Sequence, residues 1–498
     1  MKIDIKDTFV KYYLLVITLI TLPTVIYSYL MVVFNDDTHI FLGVARLADA
    51  MGSFPANVDM AWSTHPIGLR MVYYILYKLT EFEYGNEFAL QVLTKGIVAI
   101  IILYTSYYFA QQVKQKLPIL NVYTVFLITT LSFFTLHIMF LLESEFFAAI
   151  FSILAIALLL SDSRKANIAA GSLLVLIILM KVVTVVFIPV ILAAWILITG
   201  YYKSEKLFNC LFGFELASIA FVAACLLWFK NFVPDFFLML ALHDPTGYGL
   251  QTRIYMMVIQ SLAVGWFMPI LMAGAITGVV VFYDLMKYNT RFQQLSFIIM
   301  WISPLTLVFI QSEFFMYHYV GLIIPSVVSI ILFMTINYPK YQELIFILII
   351  ALILLIFGIT SSVWQDTHEH IWDNQISNTT IIKEKYNISA QPSILYLDTG
   401  ITAYWLGAPS ACRYTYPLVI RRGYSLGLSE SIYYKTAKEC IMNYTGDYVV
   451  ALNGDASDPE INAKLSNEYI KVYAGTRWGV SASTGDIYKR NIRTQQTN

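Results

Sequence analysis

Apolar runs near 12–34, 88–111, 119–138, 146–160, 168–180, 182–199, 211–229, 254–283, 294–311, 319–336 and 343–360 follow one another with only short polar connectors between them. A run such as Tyr12 to Phe34 is long enough to cross a hydrocarbon core of about 30 Å as a helix. Backbone polar groups in lipid must be satisfied internally, which leaves helices or closed barrels. These runs do not alternate every second residue, so the pattern predicts a mainly α, multi-span membrane bundle of about eleven helices. Hydrophobic residues make up 58% of the chain and charged residues 13%, as that class requires. The Tyr12 to Phe34 run is too long for a signal-peptide core and no small-residue cleavage site follows it, so it reads as a retained first helix. Asn167 to Gly200 admits one long helix or two short ones; two keep the charge rule below intact.

Lys2, Lys6 and Lys11 precede the first run, Lys114 and Lys116 follow the second, and Arg164 and Lys165 follow the fourth. Lys203 and Lys206, Lys287 and Arg291, and Lys340 continue the series on the same side. That side is expected to be cytoplasmic. The opposite, extracytoplasmic side then receives Asp36 and Asp37, Glu143 and Glu145, Lys181, the Lys230 to Arg253 connector, and Glu313 with His318. Connectors are polar in every membrane protein, but Lys181 lies inside an apolar stretch, where a charge costs a few kcal/mol unless it faces a cavity or a partner. The 32 basic and 32 acidic residues balance, so no overall field points to nucleic acid.

Asp36 and Asp37 close the first run where a helix emerges into water. Such a pair either does chemistry or caps an interfacial helix starting near Thr38, and one arrangement serves both. The first outer loop, 35–85, carries Arg46, Asp49, Asp59, His65 and Arg70 among apolar residues at helical spacing, as suits short helices lying at the membrane surface. Basic residues there also contact lipid headgroups.

From about Ser361 the apolar runs shorten, and the segment 361–498 reads as a small extracytoplasmic α/β domain attached to a membrane domain of residues 1–360. Strands are expected at Ser393–Leu397, Tyr448–Leu452 and Tyr469–Ala474, and helices at Gly400–Leu406, Glu430–Tyr444 and Pro459–Glu468. Cys412 and Cys440 share this domain, so a disulfide is allowed, while Cys210 and Cys225 belong to a span and read as packing residues. No zinc-site spacing, P-loop, dinucleotide fingerprint or nucleophile elbow stands out.

The stretch DDTHIFLGVARLADAMGSFP followed by STHPIGL resembles the first outer loop of GT-C glycosyltransferases, in particular the lipid A aminoarabinose transferase and protein O-mannosyltransferase branch. Asp36, Asp37, Arg46, Met51, Gly52, Pro55, His65 and Pro66 carry the similarity, with His65 where many relatives have Lys or Pro. LLESEFFAAIFSILAIALLL is similar to the family's outer acid at a helix entry, here Glu145. LMKVVTVVFIP and FFMYHYVGLIIP are similar to later segments, through Lys181 and Pro189 and through Tyr317, His318 and Pro325. The resemblance implies transfer of a sugar from a polyprenyl-phosphate donor to a lipid, glycan or protein acceptor on the outer face of the cytoplasmic membrane, with inversion at the anomeric carbon. It implies Asp36 as base, Asp37 as its neighbour or a ligand of a divalent metal ion, Glu145 as a residue that positions acceptor or metal or merely starts its helix, and Lys181, His65, Arg46, Tyr317 and His318 as substrate contacts; Arg253, in the outer connector, is a further candidate cation for the phosphate. Such chemistry needs a proton acceptor for the incoming hydroxyl and cations for the departing phosphate.

A lipid-linked sugar transporter or flippase, or a non-catalytic membrane scaffold, also fits a many-span chain. Transporters tend to show paired repeats with broken helices near the midplane. No internal repeat is evident here, and the polar residues gather toward one face.

Overall fold

The computed structural model describes residues 67–80, 87–134, 143–228, 250–311 except 268, 316–336, 394–397, 411–412, 427–451, 458–474 and 486–491, together with scattered single positions that include Phe41, Leu42, Ala45, Ala48 and Asp49. The chain divides into two compact units, one of residues 1–32, 83–222 and 245–366 and one of residues 33–82, 223–244 and 367–498.

The first described helix, α1 (Ile67–Thr80), belongs to the second unit and is strongly amphipathic. Its Arg70, Tyr73 and Leu76 are buried, while Ile75 and Leu79 stand out on the other side. Tyr73 packs its ring on Phe41, and Tyr77 and Lys78 both reach Asp49, by a hydrogen bond and an ion pair respectively. An apolar outward stripe beside a charged edge is what an interfacial helix presents to lipid headgroups.

The helical unit continues with α2 (Glu87–Lys116), α3 (Val122–Phe134), α4 (Ser144–Leu160), α5 (Arg164–Met180), a 3-10 segment (Val182–Val186), α6 (Phe187–Thr199) and α7 (Ser204–Leu227). After a gap come α8 (Leu250–Phe267), α9 (Pro269–Tyr288), α10 (Arg291–Gln311), a second 3-10 segment (Met316–Leu322) and α11 (Ile323–Ile336). Among the described residues six helical stretches are long and apolar enough to cross a membrane: Val92–Lys116, Val182–Thr199, Ser204–Leu227, Ile270–Tyr288, Arg291–Ile310 and His318–Ile336. α3 and α4 are shorter apolar helices. The chain is a multi-pass membrane protein.

The expected runs 12–34 and 343–360 lie outside the described residues as spans. The expected run 254–283 is two helices, because Pro269 opens a new one: proline lacks the N–H a continuing helix needs and its fixed φ suits a first helical turn. Asn167 to Gly200 is likewise interrupted, at Lys181, whose backbone is extended at φ −163° and ψ 135°.

α4 is buried along nearly its whole length and packs on α2, α5, α6 and α11, so it forms the centre of this unit. Close approaches are made by small residues. A Cβ on Gly274 of α9 would lie 2.2 Å from the Cβ of Ser326 on α11, and α9 and α11 are closely packed along that seam. At one end, Asp162 takes the ammonium groups of Lys116 and Lys206, each at 2.9 Å, and Lys206 also donates to the carbonyls of Leu159, Leu160 and Ser161. Those two lysines hold the Asp162 carboxyl down to about 2.

The C-terminal part carries β1 (Leu395–Leu397), α12 (Ile432–Asn443), β2 (Tyr448–Ala451), α13 (Pro459–Glu468), β3 (Tyr469–Tyr473) and β4 (Asp486–Arg490). The sheet order is β1-β2-β4-β3, with β1 and β2 parallel and the other pairs antiparallel. Leu395 lies beside Val449, and Val449 beside Tyr488, so the central strands present one apolar face to α12 and α13. Both helices start on side-chain caps, Ser431 accepting from the Tyr434 amide and Asp458 from those of Glu460 and Ile461. Cys412 and Cys440 are joined in a disulfide with Cα atoms 5.8 Å apart. β4 has no counterpart in the expected strands, and the helix expected at Gly400–Leu406 falls outside the described residues.

Candidate active site

The carboxyl of Glu145 stands fully buried in the first turn of α4. Glu143 precedes it as the N-cap residue and is also buried, so the chain LLESEFF turns two acids inward where an apolar helix begins. An isolated carboxylate there would cost several kcal/mol of desolvation. Three features offset that cost. Lys181 Nζ donates to Oε1 at 2.8 Å, Ser144 Oγ donates to Oε2 at 2.6 Å, and the helix N-terminus contributes a favourable dipole.

Lys181 reaches Glu145 because α5 ends just before it. Thr184 locks that break, its buried hydroxyl standing 2.5 Å from the carbonyls of both Ile177 and Lys181 and sharing its one proton between them. The Thr184 amide also donates to the Lys181 carbonyl at 2.9 Å, closing the 3-10 turn. The lysine side chain keeps 24% of its surface exposed while its carboxylate partner has none. The lysine side chain is therefore the partly open member of the pair.

His318 completes the group. It is buried and lies within electrostatic reach of both Glu145 and Lys181. Its 3-10 segment is held on two sides: the Tyr319 hydroxyl donates to the Met257 carbonyl of α8 at 3.3 Å, and Gly321 sits against the Phe187 ring and Pro304. A Cβ at Gly321 would fall 2.5 Å from the Phe187 ring, so only glycine allows the segment this close to α6. Tyr317 belongs to the same segment. Arg253 is half-buried in α8, one turn before Met257, on a helix packed against that segment.

The structure thus brings Glu145, Lys181 and His318 together and puts Arg253 on an adjoining helix. Asp36, Asp37, Arg46 and His65 lie outside the described residues. Sequence reasoning overlooked Ser144 and Thr184, whose roles depend on the helix ends, and Lys95, a charge inside an apolar run that the rule applied to Lys181 would have flagged. Among the described residues no group of three or more His, Cys, Asp or Glu side chains is arranged to hold a metal ion. The two Glu145 oxygens face an ammonium and a hydroxyl, a donor set that would admit a divalent cation only by expelling Lys181.

No family model and no curated protein matches this sequence. Among solved structures, ArnT from Cupriavidus metallidurans in the apo state superposes with a TM-score of 0.53 over 96% of this chain and 98% of its own, at 12% sequence identity. The chain has the GT-C fold. The same C. metallidurans protein bound to undecaprenyl phosphate matches with a TM-score of 0.50 over 96% of this chain and 97% of its own, at 13% identity. At such identity the GT-C likeness is one of architecture, reached through the packing of spans and the small C-terminal sheet. The resemblance in the first outer loop and in the Glu145, Lys181 and His318 segments pointed to this same architecture.

Proposed function

We propose that this protein is an inverting membrane glycosyltransferase that moves a sugar from a polyprenyl-phosphate donor to an acceptor hydroxyl or amine on the extracytoplasmic face of the cytoplasmic membrane. The observation that carries the proposal is the buried Glu145, Lys181 and His318 group at the entry of the central helix of a GT-C fold. Structural likeness to a protein seen with undecaprenyl phosphate supports a donor of that lipid class.

In the proposed step the acceptor oxygen or nitrogen attacks the anomeric carbon from the face opposite the phosphate. The anomeric C–O bond breaks, its electron pair leaves with the phosphate oxygen, and the acceptor proton passes to a carboxylate. Asp36 is assigned that proton, as the acid at the mouth of the first apolar run, with Asp37 as its neighbour. Lys181, with its side chain partly exposed, and Arg253 and His318 are assigned to the developing negative charge on phosphate. Fixing cations before the reaction avoids reorganisation when the charge appears. Glu145 holds Lys181 in place through the 2.8 Å hydrogen bond. Apolar surface on the spans and on α1 suits the lipid tail.

The test is transfer by purified protein in lipid nanodiscs from synthetic polyprenyl-phosphate sugars, with Asp36→Asn as control. Turnover by wild type and its loss in a properly inserted Asp36→Asn supports the proposal. Undiminished transfer by the variant removes the assigned base, and facilitated lipid movement without transfer establishes a transporter instead.

A further inference from the structure

Glu215 stands near the middle of α7, a 24-residue helix apolar enough to span the membrane, and its side chain is exposed. The inner face of α7 is settled. Cys210 and Gly213 are buried, a Cβ at Gly213 would run into the Ile168 carbonyl of α5, and Ser172 Oγ donates to the Gly213 carbonyl at 3.3 Å. The outer face is open. Phe208, Phe212, Ile219 and Val222 are all exposed, and with Glu215 between them they recur at spacings of four, three, four and three residues. That alternation is the heptad seam along which one helix packs on another.

Leu211 and Leu216, also exposed, complete the surroundings of Glu215, so this face meets acyl chains rather than a water-lined path. A carboxylate at that depth is expensive, and its stem is too short to reach a headgroup layer from the middle of a hydrocarbon core about 30 Å thick. Among the described residues Glu215 has no hydrogen-bond or ion-pair partner. The nearest cation on its own helix, Lys206, is more than two turns away and is held by Asp162 and by the carbonyls that end α4.

We propose that the outer face of α7 is a docking site for a membrane-spanning helix of another protein that carries a lysine or arginine at its middle. Charge complementarity chooses this occupant. A second copy of the chain, whose α7 crosses in the same direction, would set Glu215 against Glu215 at one depth, where two like charges repel. A basic residue neutralises the carboxylate out of water, while apolar side chains one turn to either side fill the seam. None of the residues assigned to sugar transfer lies on this face.

The test reconstitutes the full chain in lipid vesicles with a labelled leucine-rich transmembrane peptide bearing one lysine at its centre, or methionine in its place, and reads association by energy transfer from a dye on the protein. Wild type should bind the lysine peptide roughly five- to thirtyfold more tightly than the methionine peptide. Glu215→Gln, an exposed substitution that leaves the α5 contact intact, should bring the lysine peptide down to the methionine level. Phe212→Ala/Ile219→Ala should weaken both peptides through lost packing in the seam. Equal binding of the two peptides by wild type, a lysine preference that survives Glu215→Gln, or binding indifferent to Phe212→Ala/Ile219→Ala would overturn the proposal. So would self-association of wild type, counted by photobleaching in single vesicles, that Glu215→Gln abolishes, since the occupant would then be a second copy.

Discussion

Lys181 Nζ lies 2.8 Å from Glu145 Oε1, yet the two side chains differ in surroundings, that of Glu145 being fully enclosed and that of Lys181 partly open. The consequence is asymmetric. Lys181→Met strands a buried negative charge and should destabilise by about 3–5 kcal/mol, whereas Glu145→Gln leaves the charge on the more open side chain and should cost less, about 2 kcal/mol. The double variant Glu145→Gln/Lys181→Met should recover most of that stability, because a neutral pair replaces an ion pair. Transfer should not recover, since the cation is gone. Thermal unfolding in nanodiscs, read with turnover for the three variants, checks both halves; additive losses in stability would show that the pair is not coupled.

Gly321 places His318 through a close approach that no other residue permits. The Phe187 ring is fully buried and cannot swing aside, so Gly321→Ala should cost about 1–3 kcal/mol and lower activity by displacing the 3-10 segment. Phe187→Leu in the same chain should restore part of both. A Gly321→Ala protein with unchanged melting temperature and turnover would mean that the segment has slack the packing does not suggest.

Fold class was legible because most of the apolar runs obey the bilayer's length rule independently of every other part of the chain. The break at Lys181 was legible as an alternative and is decided by Thr184, whose hydroxyl satisfies carbonyls that a single long helix would have bonded internally. Pro269 carried its own signal, but the apolar residues on both sides of it read as one span. The Glu145–Lys181 pair was not legible as a pair, since it depends on the packing of α4 against α5 and the turn that follows. β4 was hidden for a similar reason: Asp486, Lys489 and Arg490 dilute its pattern, and its place comes from pairing with β2 and β3 on either side.

The Cys412–Cys440 disulfide ties the segment before α12 to the last turn of that helix, next to the apolar cluster of Leu395, Leu397, Ala437 and Val449. Closing a loop of this size stabilises by about 2–4 kcal/mol, mainly by restricting the unfolded chain. Cys412→Ser/Cys440→Ser should therefore lower the unfolding temperature of the C-terminal domain and raise its susceptibility to protease. A reducing agent should do the same to wild type and nothing further to the variant. Equal protease resistance with and without reductant would show that the bond adds no constraint.

Asp458 caps α13 and is a buried carboxylate of the C-terminal domain. Burial pushes its pKa up, but the Tyr434 hydroxyl, the Lys438 ammonium at 3.0 Å and two backbone amides outweigh that and hold it below the ordinary value. The sign follows from linkage: a carboxyl depressed in the folded state adds stability above its unfolded pKa of about 4, and that stability is lost as the pH falls through the folded value. The domain should thus unfold more readily below about pH 4, with Asp458 a contributor. Asp458→Asn keeps the cap but not the charge, so it should lower stability at neutral pH and flatten the acid limb. Asp458→Ala should cost more, about 2–4 kcal/mol, because it also leaves the Tyr434 hydroxyl and two amides without their acceptor. Chemical denaturation of the three proteins between pH 3 and 7, monitored by a probe in this domain, reads the difference directly: parallel pH profiles for wild type and Asp458→Asn would place the acid sensitivity in other carboxylates.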